Sequence, residues 1–198
     1  MKRRTFIKKN AIVTLAPFIT TGLLARNKKI KSLSAKPFQL NYAPHFGMFE
    51  SMAGKDLMNQ IQFMHDQGFR SLEDNGMKNR SKKTQSDIAK KMEKLGMSMG
   101  VFVGHKIYWR EPNLTSGDKS LQDEFVENIR DSIEVAKRVN ATWMTIVPGH
   151  IDLKKEMDYQ TANVIEALKR AAEILEKHNL VMVLEPLNWW SNHAGQFL

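Results

Sequence analysis

Short apolar segments alternate with longer segments of helical period along this chain, and each long segment stops on Gly or Asn. That alternation narrows the fold more than any other feature. Gly and Asn are the residues that most readily take a left-handed backbone, so their recurrence at the ends of amphipathic stretches marks helix stops. The first apolar run is Phe38 to Tyr42. A helix is predicted over about Lys55 to Gln67, with Leu57, Ile61 and Met64 on one face and Gly68 as its stop. The second strand, Phe69 to Glu73, follows at once. A helix near Lys83 to Leu95 ends at Gly96, before a third strand at Ser98 to Val103.

The next helix runs from about Ser120 to Val139 and carries Leu121, Phe125, Ile129, Ile133 and Ala136 at three-and-four spacing. It stops at Asn140, ahead of a fourth strand at Trp143 to Val147. The last runs from about Thr161 to His178, with Ile165, Leu168, Ala172 and Leu175 facing inward, and stops at Asn179 before a fifth strand, Val181 to Leu184. The fourth and fifth strands read WMTIV and VMVL, nearly continuous apolar runs of the kind expected where parallel strands are covered on both faces.

Strict β/α alternation calls for a parallel sheet, closed as a barrel or open and doubly wound. The residues after the first strand, Tyr42-Ala43-Pro44-His45-Phe46-Gly47, lack the glycine fingerprint that cradles a dinucleotide pyrophosphate, which favours the barrel. An eight-unit barrel needs roughly 250 residues, and the chain without its first 36 residues has roughly 160, about three units too few. The expected fold is therefore an α/β (β/α) barrel, incomplete, with about five of eight strands.

Composition matters at two points. The net charge of +9 suggests an anionic partner until it is located: residues 1 to 36 hold ten of the 30 Lys and Arg and none of the 21 Asp and Glu. The remainder is close to neutral, which argues against nucleic acid. The absence of cysteine excludes disulfides, thiolate metal sites and a cysteine nucleophile.

Residues 1–25 have the anatomy of a signal peptide: a basic start, an apolar stretch from Ala11 to Leu24, and Ala25 before Arg26. Arg3-Arg4-Thr5-Phe6-Ile7-Lys8 resembles a twin-arginine export signal, which implies an exported, periplasmic protein whose only membrane contact is its leader. Residues 26–36 read as a solvated linker and 37–198 as the partial barrel.

Polar residues gather where a barrel places its chemistry, at the C-terminal ends of strands. They are His45 and Glu50, then Glu73, Asp74 and Asn75, then His105 and Lys106, then His150 and Asp152, and finally Glu185, Asn188 and His193. Four segments carry a resemblance: Ser71-Leu72-Glu73-Asp74-Asn75-Gly76, Gly104-His105-Lys106-Ile107-Tyr108-Trp109, Val147-Pro148-Gly149-His150 and Leu184-Glu185-Pro186-Leu187-Asn188. Together they resemble the xylose isomerase-like barrel superfamily, and within it the hydroxypyruvate isomerase-like group.

The resemblance implies a sugar or hydroxy-acid isomerase that interconverts an aldose and a ketose through an enediolate. It implies that Glu185 is both a divalent-metal ligand and a catalytic carboxylate, and that His105, His150, Asn188 and His193 bind substrate. The implied metal is Mg²⁺ or Mn²⁺, with Zn²⁺ or Co²⁺ compatible with imidazole ligands. A small sugar, hydroxy-aldehyde or keto-acid is the implied partner, with room for a homo-oligomer. A ketose 3-epimerase of the same superfamily is the second enzymatic reading. A non-catalytic truncated barrel is the third, because the family's remaining ligands and second glutamate come from strands this chain does not reach. Trp189-Trp190 also stands where relatives carry a proline-containing stretch. Little turnover is therefore expected of the 198 residues alone.

Overall fold

In the computed structural model, residues 35–198 are described. The leader and most of the linker lie outside them. The described chain contains helices α1 (Glu50–Ala53), α2 (Leu57–Asp66), α3 (Lys82–Leu95), α4 (Lys119–Val139) and α5 (Met157–Leu175), and strands β1 (Ser71–Leu72), β2 (Ser98–Met99), β3 (Trp143–Ile146) and β4 (Val181–Leu184).

The predicted stops hold. Gly68, Gly96, Asn140 and Asn179 all have positive φ, at 101°, 64°, 54° and 54°. Asp56, Ser81 and Asp118 accept backbone N–H bonds at the starts of α2, α3 and α4, satisfying donors that the first helical turn leaves free.

β1 pairs with β2 and β3 with β4, all parallel. A parallel bridge from Val103 to Thr145 joins the two pairs, and a bridge from His45 to Glu73 adds a fifth segment at the other edge. The order across the sheet is thus the order along the chain, with α2, α3, α4 and α5 packed successively against one another outside it. This is the succession of a barrel wall.

Ile61, Met64, Leu72, Ile88, Phe102, Ile129, Met144 and Ile146 are fully buried between the layers. Each such side chain contributes about 1.5–3 kcal/mol of hydrophobic stabilisation. Met92, Met97 and Met99 belong to the same core.

Several expectations are corrected. Phe38 to Tyr42 is not a strand: Phe38, Leu40 and Tyr42 are exposed, and the segment spends its aromatic surface on Phe69. Pairing begins three residues later, at His45. The second and third strands shrink to two residues each, and their outer ends contribute only single bridges.

On α5 the buried face is Val164, Ala167, Ala171 and Leu175, while Ile165 is exposed. Ala167 and Ala171 are fully buried, and Ile165, two positions before Ala167, falls on the opposite side of the helix. β4 is not covered on both faces, because Val181, Val183 and Leu184 are 40–47% exposed. β3 lies on one side of it, and among the described residues no strand lies on the other. Among the described residues no helix is long and apolar enough to cross a membrane.

Candidate active site

A cavity of about 570 Å³ opens at the C-terminal ends of the strands. Glu185 reaches it directly from β4, its backbone N–H bonded to the Ile146 carbonyl at 3.1 Å. Glu185 is half-buried, and its carboxylate makes no hydrogen bond or ion pair among the described residues. Among the described residues it is the single carboxylate lining this cavity. The walls are Asn75, Lys78 and Asn79 after β1, His105, Lys106 and Trp109 after β2, Asn128 on α4, and His193 after β4.

Lys78 ties two walls together. Its Nζ donates to the Asn128 carbonyl at 2.6 Å, the Asn128 Oδ1 at 3.2 Å and the Gly104 carbonyl at 3.3 Å. Burial holds its amine below the ordinary range, and the Asp131 carboxylate opposes that shift.

Lys106 sits 4.2 Å over the Tyr108 ring and donates to the Tyr108 hydroxyl at 2.7 Å and to Glu124 at 3.3 Å. The Tyr108 hydroxyl in turn donates to Glu124 at 2.6 Å, and that bond first, then Lys106, keeps the Glu124 carboxyl below its usual range. Both lysines are thus engaged with protein groups.

The predicted substrate residues divide. His193 lines the cavity and stacks on Trp109, with ring centroids 5.4 Å apart and planes 29° apart. His105 is at the wall but only 5% exposed, edge-on to Phe125, and its Nε2 accepts the Val147 N–H at 3.1 Å. Burial, reinforced by the Lys78 charge, lowers its pKa to about 4, so it is a neutral, structural acceptor at neutral pH.

His150 lies in a neighbouring cavity with Trp109 and His193, not beside Glu185, and its Nδ1 is 2.7 Å from the Ile151 carbonyl. Asn188 closes a turn, accepting Ser191 N–H on Oδ1 and the N–H groups of Asn192 and His193 on its carbonyl. Its Oδ1 is therefore engaged inside the loop. Glu73 pairs with His45 at 3.1 Å, and Asp74, buried, receives Arg80 at 2.5 and 3.2 Å; both serve the frame.

Sequence reasoning passed over Lys78, Asn128 and Arg110. Asn128 sits in mid-helix and Lys78 in a short turn, and neither carries a local signal. Trp109 lay inside a quoted motif without a role.

A divalent metal does not fit these residues alone. Glu185 is one carboxylate, the Nε2 of His105 is taken, and among the described residues no group of three His, Asp or Glu is placed to hold an ion.

Residues 61–198 match the family model of the xylose isomerase-like TIM barrel. The chain belongs to that family. A structure described as AP endonuclease, family 2, from Brucella melitensis superposes with a TM-score of 0.62 at 17% identity, covering 79% of this chain and 58% of its own. D-psicose 3-epimerase with D-tagatose from Clostridium cellulolyticum H10 gives 0.59 at 17%, covering 78% and 55%. 3-Keto-D-glucoside 4-epimerase from E. coli gives 0.60 at 13%, covering 78% and 59%. The chain therefore spans somewhat more than half the length of the solved xylose isomerase-like structures it resembles. A comparison with curated proteins finds no match.

Proposed function

We propose that this chain forms part of the active site of an isomerase or epimerase that moves a proton beside the carbonyl of a small sugar or hydroxy-acid, with Glu185 as the base. The observation carrying this is the half-buried Glu185 carboxylate at a strand end, unpaired among the described residues and facing a cavity that no other described carboxylate lines. A base must be free, partly desolvated and within reach of the carbon acid, and Glu185 meets the first two conditions. The unpartnered amides of Asn75 and Asn79 suit hydroxyl groups, and the Trp109 face suits the apolar face of a sugar ring.

In this mechanism the Glu185 carboxylate takes the proton from the carbon next to the carbonyl and holds it on one oxygen. Returning it to the neighbouring carbon, while the hydroxyl proton passes from one enediolate oxygen to the other, gives an aldose–ketose isomer, as in hydroxypyruvate isomerisation. Inversion at the same carbon gives a 3-epimer and needs a second group on the opposite face. Epimerisation is the alternative outcome at this site, and two of the matched structures are described as epimerases. An abasic-site endonuclease is disfavoured by the near-neutral charge after residue 36.

The test is deuterium wash-in from D₂O, followed by proton NMR, with hydroxypyruvate and with D-psicose, Mn²⁺ or Mg²⁺ being supplied. Slow exchange beside the carbonyl above the buffer rate is expected, falling by about 10²-fold or more in Glu185→Gln. Equal exchange in wild type and E185Q would overturn the assignment and favour the non-catalytic reading. The product separates the two enzymatic readings.

We also infer export by the twin-arginine route, from Arg3-Arg4 and the apolar stretch that follows. A reporter fused after residue 36 should reach the periplasm, and replacing both Arg3 and Arg4 by Lys should retain it in the cytoplasm. Unchanged export of the double variant would refute this route.

A further inference from the structure

Behind the Trp109–His193 stack lies a second cavity of about 410 Å³, lined by Trp109, Arg110, His150, Asn192, His193 and the buried Gln196. Among the described residues no carboxylate lines it. Arg110 is exposed, and its guanidinium makes no hydrogen bond or ion pair among the described residues, unlike Lys78 and Lys106 in the first cavity. An arginine with all five donors unused, on a wall without an acid, is a receptor for a planar or tetrahedral anion.

The wall is built rather than incidental. His150 bridges Pro112 on one side and Gln196 on the other; Ile151 N–H bonds the Gly195 carbonyl at 2.7 Å, and Phe197 N–H the Gly149 carbonyl at 2.9 Å. Gln196 donates to the Trp109 carbonyl at 3.0 Å while its Oε1 is buried without a partner among the described residues. Gly195 lies so close to the His150 ring that a Cβ would come 2.1 Å from Nε2, so this junction of three segments tolerates no side chain there.

We propose that this second cavity is an anion subsite, contiguous with the first across the Trp109–His193 wall, and that it takes the carboxylate or phosphate of an acidic sugar. Arg110 supplies the charge and the Asn192 amide a further donor. The ligand's carbonyl end faces Glu185 on the other side of the stack. This placement of the carbonyl rests on the function proposed above; the anion site itself does not.

Calorimetric titration of the full chain with D-gluconate, D-glucose 6-phosphate and D-glucose tests it. Both acids are expected to bind more tightly than glucose, and Arg110→Gln should weaken the acids by roughly tenfold or more while leaving glucose unchanged. Arg110→Lys should recover part of the loss. The tighter of the two acids identifies carboxylate or phosphate as the source. Equal binding of acids and glucose, acids indifferent to R110Q, or no binding of either acid would each overturn the subsite. Absence of deuterium exchange in the wild-type chain, with intact Arg110-dependent anion binding, would instead count against Glu185 alone.

Discussion

The contribution of His105 to unfolding stability should fall by about 2 kcal/mol between pH 7 and pH 5, and by about 3 kcal/mol once the pH is below 4. In the folded chain its pKa is lowered from 6.5 to about 4, first by burial and then by the Lys78 charge. Below pH 6.5 the unfolded chain takes up a proton that the folded chain refuses. The contribution of neutral His105 is therefore fully present above pH 6.5 and is lost as the pH falls through the window from 6.5 to 4.

Exposed carboxylates do not mimic this. Glu124, Glu134 and Asp123 are held below their ordinary values by hydrogen bonds from Tyr108, Lys137 and Arg170, so their losses lie below about pH 4.5. Urea unfolding at pH 7, 6 and 5 covers the His105 window, and the difference between wild type and His105→Gln isolates it. His105→Gln keeps an acceptor for the Val147 N–H without a titrating ring, and should flatten the dependence between pH 7 and 5. If wild type and H105Q lose stability in parallel, His105 is not the buried neutral group the geometry makes it.

His105 also shows where sequence and structure part. Its position after an apolar strand is readable, and so is the expectation that strand-end residues face a cavity. Whether the ring turns toward the cavity or back onto a backbone N–H depends on Phe125 from α4 and Val147 after β3, both far along the chain. The same holds for Asn188, whose amide closes its own turn, and for His150, which the returning segment around Gly195 and Gln196 draws into a different cavity.

Glu185 was legible because strand direction alone delivers it: β4 pairs in parallel with β3, and the next residue emerges at the carboxyl end. Helix ends were legible for a local reason too, since Gly68, Gly96, Asn140 and Asn179 stop their helices by their own backbone preferences. Strand lengths were not. A run such as Phe38 to Tyr42 becomes a strand only if a neighbour pairs with it, and no local pattern encodes that neighbour. Exposure of β4 has the same origin, because apolar composition records what a strand could bury and not what lies beside it.

Replacing Gly149 by Ala should destabilise the chain by about 3 kcal/mol, a large fraction of a typical domain's stability. Gly149 has φ of 96°, which side chains rarely adopt, and a Cβ there would sit 1.8 Å from Asn113 Oδ1 and 2.9 Å from its Cγ. Asn113 is 2% exposed, so it has no open space to retreat into. Its Oδ1 has no hydrogen-bond partner among the described residues, so removing it forfeits no bond.

Two costs are therefore superimposed, a steric one shared with Asn113 and a backbone one that is not. Asn113→Ala by itself should cost little, within about 1 kcal/mol, because what it deletes is an unpaired buried oxygen and a few contacts. Combined with Gly149→Ala it should return about 1–2 kcal/mol of the loss, leaving the φ penalty as the remainder. Urea unfolding of the four proteins in this cycle separates the terms. A coupling of zero would mean that the close approach of Gly149 to Asn113 does not exist in solution. Gly149 directly precedes His150, which lines the second cavity, so anion binding should weaken in G149A.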